Sequence, residues 1–313
     1  MNQRIELAEK LFKEGYNCSQ SVFAAYSELY GIELDTALKL SASFGGGLGR
    51  MREVCGAVSG MCLVAGLETG SSKKMDAEGK KYNYEVVQKL SEEFKAISGS
   101  IICRDLLGLE KKEEMIATPQ KRTEEYYKKR PCVQLVKDAA KLIEEVLYKP
   151  DLVPVETEEQ LMKVAILAEE IWHEHYDSMI GCEQVNYMLE QFQSPARMKI
   201  QIEEKGYQYY LLSTMGGDAG YFAFRLEENA IFLSKIYLVK KYRGRNYARK
   251  VIEFLEQLCR EGQLEKIWLT VNRNNSNSIA AYEKLDFMKA GSQVADIGAG
   301  YVMDDFIMEK KLS

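Results

Sequence analysis

The spacing of apolar residues changes character near the middle of the chain. In the first half, the segments QRIELAEKLF, CSQSVFAAYSELY and TALKLSASF place apolar side chains three and four residues apart, which predicts helices. Further helices are predicted near 55–68, 75–98 and 131–148, and no stretch there alternates with a period of two for long. The first half therefore predicts an all-α helical bundle.

The second half has a mixed periodicity. An apolar helical stripe over 161–172 is followed by four segments that predict strands: MKIQIEE, YQYYLLST, GYFAFRLE and AIFLSKIYLV. A helix from about 247 to 261, a strand at IWLTV, a helix at 276–285 and two closing strands follow. This order predicts a mixed α/β domain.

A proline-flanked segment, KPDLVP, separates the two halves. Its two prolines disfavour the interiors of both helices and strands, and the composition changes after it. A chain of 313 residues is long enough for two domains of ordinary size. We therefore predict a helical domain over 1–148, a linker over 149–154 and an α/β domain over 155–313.

Charge and hydropathy exclude several classes of partner. Residues 1–150 carry 23 Lys and Arg against 22 Asp and Glu, and residues 151–313 carry 19 against 25. Neither half is basic enough for binding nucleic acid without sequence preference. No segment reaches the roughly 20 apolar residues of a membrane helix, and the charged amphipathic N-terminus is unlike a signal peptide. The sequence predicts a cytoplasmic protein with neither nucleic acid nor membrane as a partner.

Cysteines are concentrated in the first half, which holds five of the seven. In a reducing cytoplasm this usage favours metal binding or redox chemistry over structural disulfides. Cys18, Cys55, Cys103 and Cys132 each lie near the start of a predicted helix, where the helix dipole lowers the pKa of a thiol. Cys62 lies two helical turns after Cys55 and is either a core residue or a further reactive cysteine. The first half has no CxxC motif and no histidine, which excludes a thioredoxin motif and a local Cys–His dyad.

A cationic turn between a strand and a helix is the clearest binding motif of the second half. In IYLVKKYRGRNYARKVIEFLEQL, the strand ends in a turn that contains Arg243 and Arg245, and an amphipathic helix begins directly afterwards. The first turn of a helix offers unpaired N–H groups, which suit a pyrophosphate, and arginines add charge-assisted hydrogen bonds.

These residues resemble the central motif of the GNAT family of N-acetyltransferases, Arg/Gln-x-x-Gly-x-Gly/Ala. The match runs through Arg243, Gly244, Arg245, Asn246, Tyr247 and Ala248, with Asn246 in place of the central glycine. A second block, VNRNNSNSIAAYEKLDF, resembles another motif of the family, with Asn275, Tyr282 and Phe287 in register and Asp286 in place of a glycine. The resemblance covers about 151–313.

The resemblance implies a mixed, mostly antiparallel sheet whose two central parallel strands, IYLV and IWLTV, splay apart. Acetyl-CoA is then the co-substrate, its pantetheine arm pairs with the backbone near Leu238 and Val239, and Tyr282 protonates the departing thiolate. The implied cofactor-binding residues are Leu238, Val239, Arg243, Gly244, Arg245, Asn246, Tyr247, Ala248 and Asn275. The acceptor is a small-molecule amine or a peptide amine, and the acidity of this half favours a cationic one.

The general base of this family is often a glutamate on the strand before the cationic turn. This chain has Ser234 and Lys235 there instead. The two histidines, His173 and His175, lie on the first helix of the domain and are weak candidates for the base. Since they point about 160° apart on a regular helix, a metal site shared by both is not expected.

The first half resembles the C_GCAxxG_C_C family of redox-active proteins. Cys18, the segment GGGLGR, the motif CGAVSG that begins at Cys55, and then Cys103 and Cys132 follow the order of that family over about 8–146. Three interpretations stay open: a thiol–disulfide module, a metal or iron–sulfur site, and ordinary structural cysteines. A functional centre requires the four cysteines to cluster, and we expect this near the glycine-rich loop at 45–49.

The sequence thus predicts an acetyl-CoA-dependent N-acetyltransferase fused to a cysteine-based redox or metal-binding domain. The alternative is a non-catalytic acyl-CoA-binding sensor coupled to a redox- or metal-sensing module. Acceptor loops vary within one fold, so the sequence does not name the amine.

Overall fold

The computed structural model describes residues 3–109 and 117–312 and divides the chain into two compact units, 1–149 and 150–313. The first unit is helical, as predicted. Its described helices are α1 (Gln3–Lys13), α2 (Cys18–Ser27), α3 (Leu34–Ser41), α4 (Gly56–Thr69), α5 (Ala77–Ser98), α6 (Cys103–Leu106), α7 (Glu124–Lys129) and α8 (Cys132–Leu142), which continues in a π turn (Ile143–Leu147).

The core of the first unit forms where α1, α2, α4, α5 and α8 pack together. Fully buried side chains such as Phe12, Tyr26 and Phe94 fill it, and the Tyr26 hydroxyl donates a hydrogen bond to the Ala140 carbonyl at 2.9 Å. Gly60 allows α4 to approach α2 closely, because a Cβ at Gly60 would lie 2.8 Å from the Ser19 carbonyl oxygen. None of the described helices of the chain is long and apolar enough to cross a membrane.

The second unit is a seven-stranded sheet with helices, as the predicted fold class requires. Its strands are β1 (Asp151–Pro154), β2 (Tyr207–Thr214), β3 (Gly217–Leu226), β4 (Ala230–Leu238), β5 (Lys266–Asn272), β6 (Met288–Gly298) and β7 (Tyr301–Lys311), in the order β1-β2-β3-β4-β5-β7-β6. Its helices are α9 (Glu158–Ile180), α10 (Cys182–Met188), α11 (Pro195–Lys205), α12 (Tyr247–Gly262) and α13 (Ser276–Glu283). All neighbouring strands are antiparallel except β4 and β5.

Two sequence-based assignments in this unit are wrong. MKIQIEE is not a strand but most of α11, because Pro195 starts the helix, Gly206 ends it in a left-handed conformation, and only Met198 is buried. Residues 151–154 of the predicted linker form β1, which pairs with β2. Pro154 is compatible with this strand because β1 lies at the edge of the sheet, where a missing N–H leaves no ladder bond broken.

Candidate functional site

The two central parallel strands of the second unit part after a short paired stretch. β4 and β5 are in register only from Ala230–Lys266 to Phe232–Trp268, although β4 continues to Leu238 and β5 to Asn272. Beyond that point β4 stays paired with β3, and β5 stays paired with β7. The opening between the two strands is the splay that the resemblance implies.

The cationic turn leads directly from β4 into α12. Asn246 precedes the helix with φ +62° and ψ 18°, and no side chain caps the helix N-terminus. The Asn246 side chain therefore does not cap the N–H groups of the first turn. Gly244 also has positive φ, at +75°. The turn is built as an anion-binding helix N-terminus requires.

Both departures from the motifs of the resemblance occur at left-handed positions. Asn246, which replaces a glycine, has φ +62°, and Asp286, which replaces another, has φ +68°. Asn and Asp tolerate this region better than other residues with a side chain. The substitutions therefore preserve the backbone conformation that glycine would supply.

The two motif arginines are held by the protein. Arg243 donates from Nη2 to Glu174 on α9 at 2.8 Å and from Nε to the Leu238 carbonyl at 3.0 Å. Arg245 is only 5% exposed, and its guanidinium lies 5.0 Å from the centroid of the Tyr242 ring. A role for either in binding phosphate therefore requires its guanidinium to change partners.

The backbone at the end of β4 is also engaged. The Val239 N–H donates to the Ala219 carbonyl at 3.0 Å, and the Val239 carbonyl accepts from the Tyr242 N–H at 2.9 Å. The Leu238 carbonyl accepts from Arg243 at 3.0 Å. Leu238 and Val239 lie at the end of β4 beside the splay, and these three polar groups already have partners within the unit.

Tyr282 lies on α13 within a group of tyrosines. It packs against Phe287 with ring centroids 5.8 Å apart, and it interacts electrostatically with Tyr176 on α9 and Tyr237 on β4. Burial raises the pKa of Tyr282, and Tyr176 raises it further. An unperturbed phenol has a pKa of about 10, close to that of a thiol. The raised pKa instead keeps this hydroxyl protonated through the physiological range and makes it a weaker acid.

Asn275 and His175 link α13 to α9. The buried Asn275 caps α13 by accepting from the Ser278 N–H at 3.2 Å, and its Nδ2 lies 3.3 Å from His175 Nε2. Burial, followed by the charge of Arg243, lowers the pKa of His175. A neutral imidazole that accepts at Nε2 agrees with this direction, and such a hydrogen bond occupies the lone pair that a base would use. The geometry thus argues against His175 as the base.

A buried carboxylate, absent from the sequence prediction, lies on β7. Asp305 is 3% exposed and pairs in register with Asn272, the last residue of β5. Burial raises its pKa, and so does the charge of Asp304. The charge of Asp305 raises the pKa of Tyr176. Within the described residues, the Asp305 carboxylate has neither a hydrogen bond nor an ion pair. The sequence does contain a signal for this residue, because Asp304 and Asp305 form an acidic pair inside an otherwise apolar strand. That strand is not the one on which the resemblance places the general base.

Lys235 is a second unusual buried charge. It is 6% exposed, donates to Gln201 Oε1 at 3.0 Å, and lies 5.5 Å and 5.2 Å from the ring centroids of Tyr207 and Tyr209. It follows Ser234, the bulged residue of β4. Burial lowers the pKa of Lys235 to about 7.

We expect the free energy of unfolding of the second unit to rise with pH between about 7 and 10. In that interval an unfolded lysine binds more protons than the folded one, so each pH unit favours the folded state by up to about tenfold. Both tryptophans, Trp172 and Trp268, lie in this unit, so their fluorescence during urea denaturation of the full chain reports its unfolding. Lys235→Met should remove the slope, whereas Lys199→Met on the exposed side of α11 should keep it. A slope that persists in Lys235→Met would assign the effect to another group.

Three potential metal ligands converge near the end of α9. His173 Nδ1, an Asp177 carboxylate oxygen and Cys182 Sγ lie within 4.8 Å of one another. His173 also lies 3.1 Å from the same carboxylate. His175 is not one of these three residues. Imidazole, carboxylate and thiolate are ligands that zinc accepts.

Residues 168–287, which contain the splay, the cationic turn and Tyr282, match the family model described as "Acetyltransferase (GNAT) family". The second unit is a GNAT acetyltransferase domain. Its mixed sheet, mostly antiparallel with the parallel pair β4–β5, confirms the predicted fold class.

Three similar proteins illustrate the relationship of this GNAT domain. An uncharacterized N-acetyltransferase in the pepI 3'region of Lactobacillus delbrueckii subsp. lactis is 23% identical over 164 residues, which are 50% of this chain and 94% of that protein. PaiA N-acetyltransferase from Thermoplasma acidophilum, solved with coenzyme A, is similar over 52% of this chain and 99% of its own, at 19% identity and a TM-score of 0.42. A GCN5-related N-acetyltransferase from Rhodopseudomonas palustris is similar over 53% of this chain and 98% of its own, at 17% identity and a TM-score of 0.45.

The first unit places four cysteines around one cavity, separately from the GNAT domain. Cys18, Cys55, Cys103 and Cys132 all line a cavity of about 280 Å³ together with Gly45, Gly46 and Gly49 of the glycine-rich loop. Cys18, Cys103 and Cys132 are the first residues of α2, α6 and α8, and Cys55 directly precedes α4. Cys62 lies beside Ser91, away from this lining, and Cys182 and Cys259 belong to the second unit.

The glycine-rich loop has an unusual backbone that permits this arrangement. Gly46, Gly47, Leu48, Gly49 and Arg50 all have positive φ, from +56° to +74°. A Cβ at Gly47 would lie 2.7 Å from Cys103 Cβ, so only glycine fits there without a shift. Such a run of left-handed residues costs free energy and is typical of functional loops.

The four thiols differ in acidity, which corrects the expectation that all four would be acidic. Burial raises the pKa of Cys55 to about 12 and also raises that of Cys103. Cys18 donates a hydrogen bond to Cys132, and this contact raises the pKa of Cys18 and lowers that of Cys132 to about 7. Burial acts to raise the pKa of Cys132, and the charges of nearby arginines lower it. Desolvation therefore outweighs the helix dipole at Cys55 and Cys103, and at Cys18 it adds to the larger effect of Cys132.

The sulfur atoms do not converge as a single metal ion requires. Tetrahedral zinc with Zn–S bonds of about 2.3 Å holds its sulfurs about 3.8 Å apart. Among the described residues, no three of these cysteines place their sulfurs within 4.8 Å of one another. A single bound metal ion therefore requires the sulfurs to move.

Residues 16–146, which include all four cavity cysteines, match the family model described as "Putative redox-active protein (C_GCAxxG_C_C)". The chain thus combines a domain of this family with a GNAT acetyltransferase domain. Sequence reasoning found the cysteines and the glycine-rich loop but missed four arginines that share the cavity: Arg50, Arg52, Arg122 and Arg130.

Proposed function

We propose that the GNAT domain transfers the acetyl group of acetyl-CoA to a primary amine. The divergence of β4 and β5 beside the uncapped N-terminus of α12 carries this proposal. The opening suits an extended pantetheine arm, and the N–H groups of Gly244, Asn246, Tyr247 and Ala248 suit the pyrophosphate. Acetyl-CoA is the donor of the family whose model matches this domain.

In this proposal Arg243 exchanges Glu174 for a phosphate group. A guanidinium–phosphate contact is a charge-assisted hydrogen bond at least as favourable as the exposed pair it replaces. The exchange also frees the Leu238 carbonyl, which then becomes available to an amide of the pantetheine arm. Asn275 acts by capping α13 and so sets the position of Tyr282.

Asp305 is the base that the geometry supports best. It has no partner within the described residues, whereas His175 Nε2 accepts from Asn275, and Lys235 is enclosed by Gln201 and two tyrosine rings. Its carboxylate would hold an alkylammonium acceptor by charge and then take its proton. A carboxyl whose pKa is raised toward the working pH is well suited to this task.

The reaction then proceeds in two proton-coupled steps. The neutral amine nitrogen attacks the thioester carbon, and a tetrahedral oxyanion forms. Its collapse breaks the C–S bond, and the Tyr282 hydroxyl gives its proton to the departing CoA thiolate. The nitrogen loses its second proton as the amide forms, a proton returns to Tyr282, and Asp305 releases to solvent the proton that it took from the ammonium group. Because thiolate is already a good leaving group, a weakly acidic phenol suffices as donor.

Binding of CoA by the full chain tests the phosphate assignment. We expect calorimetry to show saturable binding that weakens about 10–100-fold in the double variant Arg243→Glu/Arg245→Glu, which loses charge-assisted hydrogen bonds. Lys199→Glu/Arg260→Glu is the control, since it changes the net charge equally at exposed helix positions. Equal affinities in the two double variants would remove the turn from the binding site.

Turnover separates an enzyme from the sensor alternative. A panel of small and peptide amines is incubated with acetyl-CoA and the full chain, and the free CoA is measured with a thiol reagent. The same measurement on heat-treated protein is the control. Amine-dependent release of CoA supports the transferase. Tight binding without release for every amine class would favour the non-catalytic sensor.

For the first unit we propose a dithiol redox function. Two observations support it: Cys18 and Cys132 line the same cavity, and the pKa of Cys132 is lowered to about 7 while that of Cys18 is raised. A thiolate and a thiol in one cavity provide an attacking and a resolving group. Cys55 and Cys103 stay protonated and neutral under the same conditions. A metal-bound state would instead need all four to act as thiolates.

A further inference from the structure

The cysteine cavity carries a concentration of positive charge. Four arginines line it: Arg50, Arg52, Arg122 and Arg130. Among the described residues no aspartate or glutamate does so. Among the described residues of the lining, Cys132 is the group that most readily supplies a negative charge, because its pKa is lowered to about 7.

Among the described residues, three of the lining arginines form no ion pair with a carboxylate: Arg52, Arg122 and Arg130. Arg50 has a lowered pKa because of burial and then because of the charges of Arg52 and Arg130. Mutual repulsion of this kind is unfavourable in the absence of an anion, and an anionic ligand would offset it.

The guanidinium groups are also held in place. Arg122 donates to the Tyr16 carbonyl at 3.1 Å and stacks 4.5 Å from the centroid of Phe12. Arg130 donates to Gln120 at 2.7 Å and lies 4.9 Å from the centroid of Tyr126. Cation–π and hydrogen-bond contacts of this kind restrict rotamers before a ligand arrives.

The rest of the lining indicates an organic ligand. Leu106, Leu107 and Leu135 form an apolar part of the wall, and the cavity volume of about 280 Å³ exceeds what an inorganic oxyanion fills. Small-molecule sites of proteins combine such apolar walls with a few fixed polar groups. The polar groups here are cationic, and the reactive group is a thiol pair.

We infer that the four-arginine cavity binds a low-molecular-mass organic disulfide that bears carboxylates, and that Cys132 and Cys18 reduce it. This inference rests on the proposed redox function and adds the class of substrate. The arginines bind the carboxylates and draw the dianion into the cavity, while the leucines contact its carbon chain.

The reaction balances within the cavity. Cys132 thiolate attacks one sulfur of the bound disulfide, the S–S bond breaks, and the first small thiolate leaves with a proton from solvent. Cys18 gives up its proton and attacks Cys132 Sγ, which forms the Cys18–Cys132 disulfide and releases the second small thiol. Two protein thiols are oxidised and one disulfide is reduced to two thiols.

Three disulfides that differ in charge test the inference in single turnover. The reduced full chain is mixed with dithiodipropionate, bis-hydroxyethyl disulfide or cystamine, which carry two carboxylates, no charge and two ammonium groups. Each rate of thiol release is divided by the rate with free dithiothreitol, to remove differences in intrinsic reactivity. We expect the dianion to react about 10–10³-fold faster than the dication on this scale, the usual range of electrostatic attraction by a charged cleft.

Charge-removing variants then locate the source of the preference. Arg50→Gln/Arg130→Gln should lower the ratio of dianion to dication rates at least about tenfold. Lys128→Gln/Lys129→Gln, which removes two charges from the adjacent α7, should leave the ratio unchanged. Arg130→Lys keeps the charge and should keep most of the preference, which excludes a folding defect as the cause.

Failure of the inference and failure of the redox proposal give different results. Equal normalised rates for the three probes, abolished by Cys132→Ser, would leave the dithiol function and overturn the anionic substrate. Rates that Cys132→Ser leaves unchanged, or no thiol release from any probe, would overturn the dithiol function and the inference with it. Iron or zinc retained by the purified chain, together with no thiol release, would assign the cysteines to a metal.

Discussion

Replacement of Tyr282 by phenylalanine should lower the rate of acetyl transfer by about 10²–10⁴-fold and leave the affinity for acetyl-CoA nearly unchanged. The substitution removes only a hydroxyl, and the ring contact with Phe287 persists. Without the donor, the CoA thiolate must leave unprotonated or take its proton from water. The measurement is single-turnover release of CoA, so that chemistry and not product dissociation sets the rate.

A matched variant separates this effect from a general loss of packing. Tyr210→Phe removes a hydroxyl from a ring that stacks on Phe222 at 5.1 Å and should leave the rate unaltered. The pH profile is a second check. Since burial raises the pKa of Tyr282, the acid form persists at high pH, and no loss of activity from this group should occur up to its ordinary value near 10. An undiminished single-turnover rate in Tyr282→Phe would return this residue to a packing role.

Asp305→Asn should reduce turnover by a similar factor, about 10²–10⁴-fold, because the proton acceptor and the anchor for the ammonium group are both lost. The wild-type rate should rise with pH as Asp305 ionises, and this rise should occur above the ordinary pKa of an aspartate because burial raises it. The rate of the variant should not show this rise with pH. Steady-state and single-turnover rates from pH 5 to 9 test the prediction.

The neighbouring residue provides the control. Asp304 lies on the same strand, but its side chain is half-exposed and paired with Arg273 at 2.9 Å. Asp304→Asn should therefore retain both the activity and its rise with pH. Stability excludes a structural explanation. An acid whose folded pKa is raised destabilises the fold once the pH exceeds its unfolded value, so Asp305→Asn should be at least as stable as the wild type at pH 7. Loss of activity together with loss of stability would indicate a structural role for Asp305.

The two functional regions differ in how they depend on long-range structure. The motif residues of the GNAT site lie on consecutive elements, β4 to α13, and are close in sequence, whereas Asp305 joins them from β7. The cysteine cavity draws on residues from Cys18 to Cys132, which the helical packing alone brings together. Local sequence signals could therefore predict the GNAT site in some detail. For the cysteine cavity they could predict only which residues belong to it.

Several features of this protein follow from the sequence alone. Helical periodicity identified the first unit, the two motif blocks identified the GNAT domain, and the order of cysteines and glycines identified the cavity residues. These are local signals, because helix faces, turns and phosphate-binding loops are encoded by residues a few positions apart.

The tertiary structure decided the rest, because burial and charge depend on neighbours that are remote in the chain. It brought Asp305 beside the end of β5 and held Arg243 on Glu174. It also set the acidity of the cysteines, since desolvation raised the pKa of Cys55 and Cys103, and the contact between Cys18 and Cys132 raised the pKa of Cys18 and lowered that of Cys132. The helix dipole at each cysteine is local and was visible in the sequence. The desolvation that outweighs it arises only when distant helices close around the cavity.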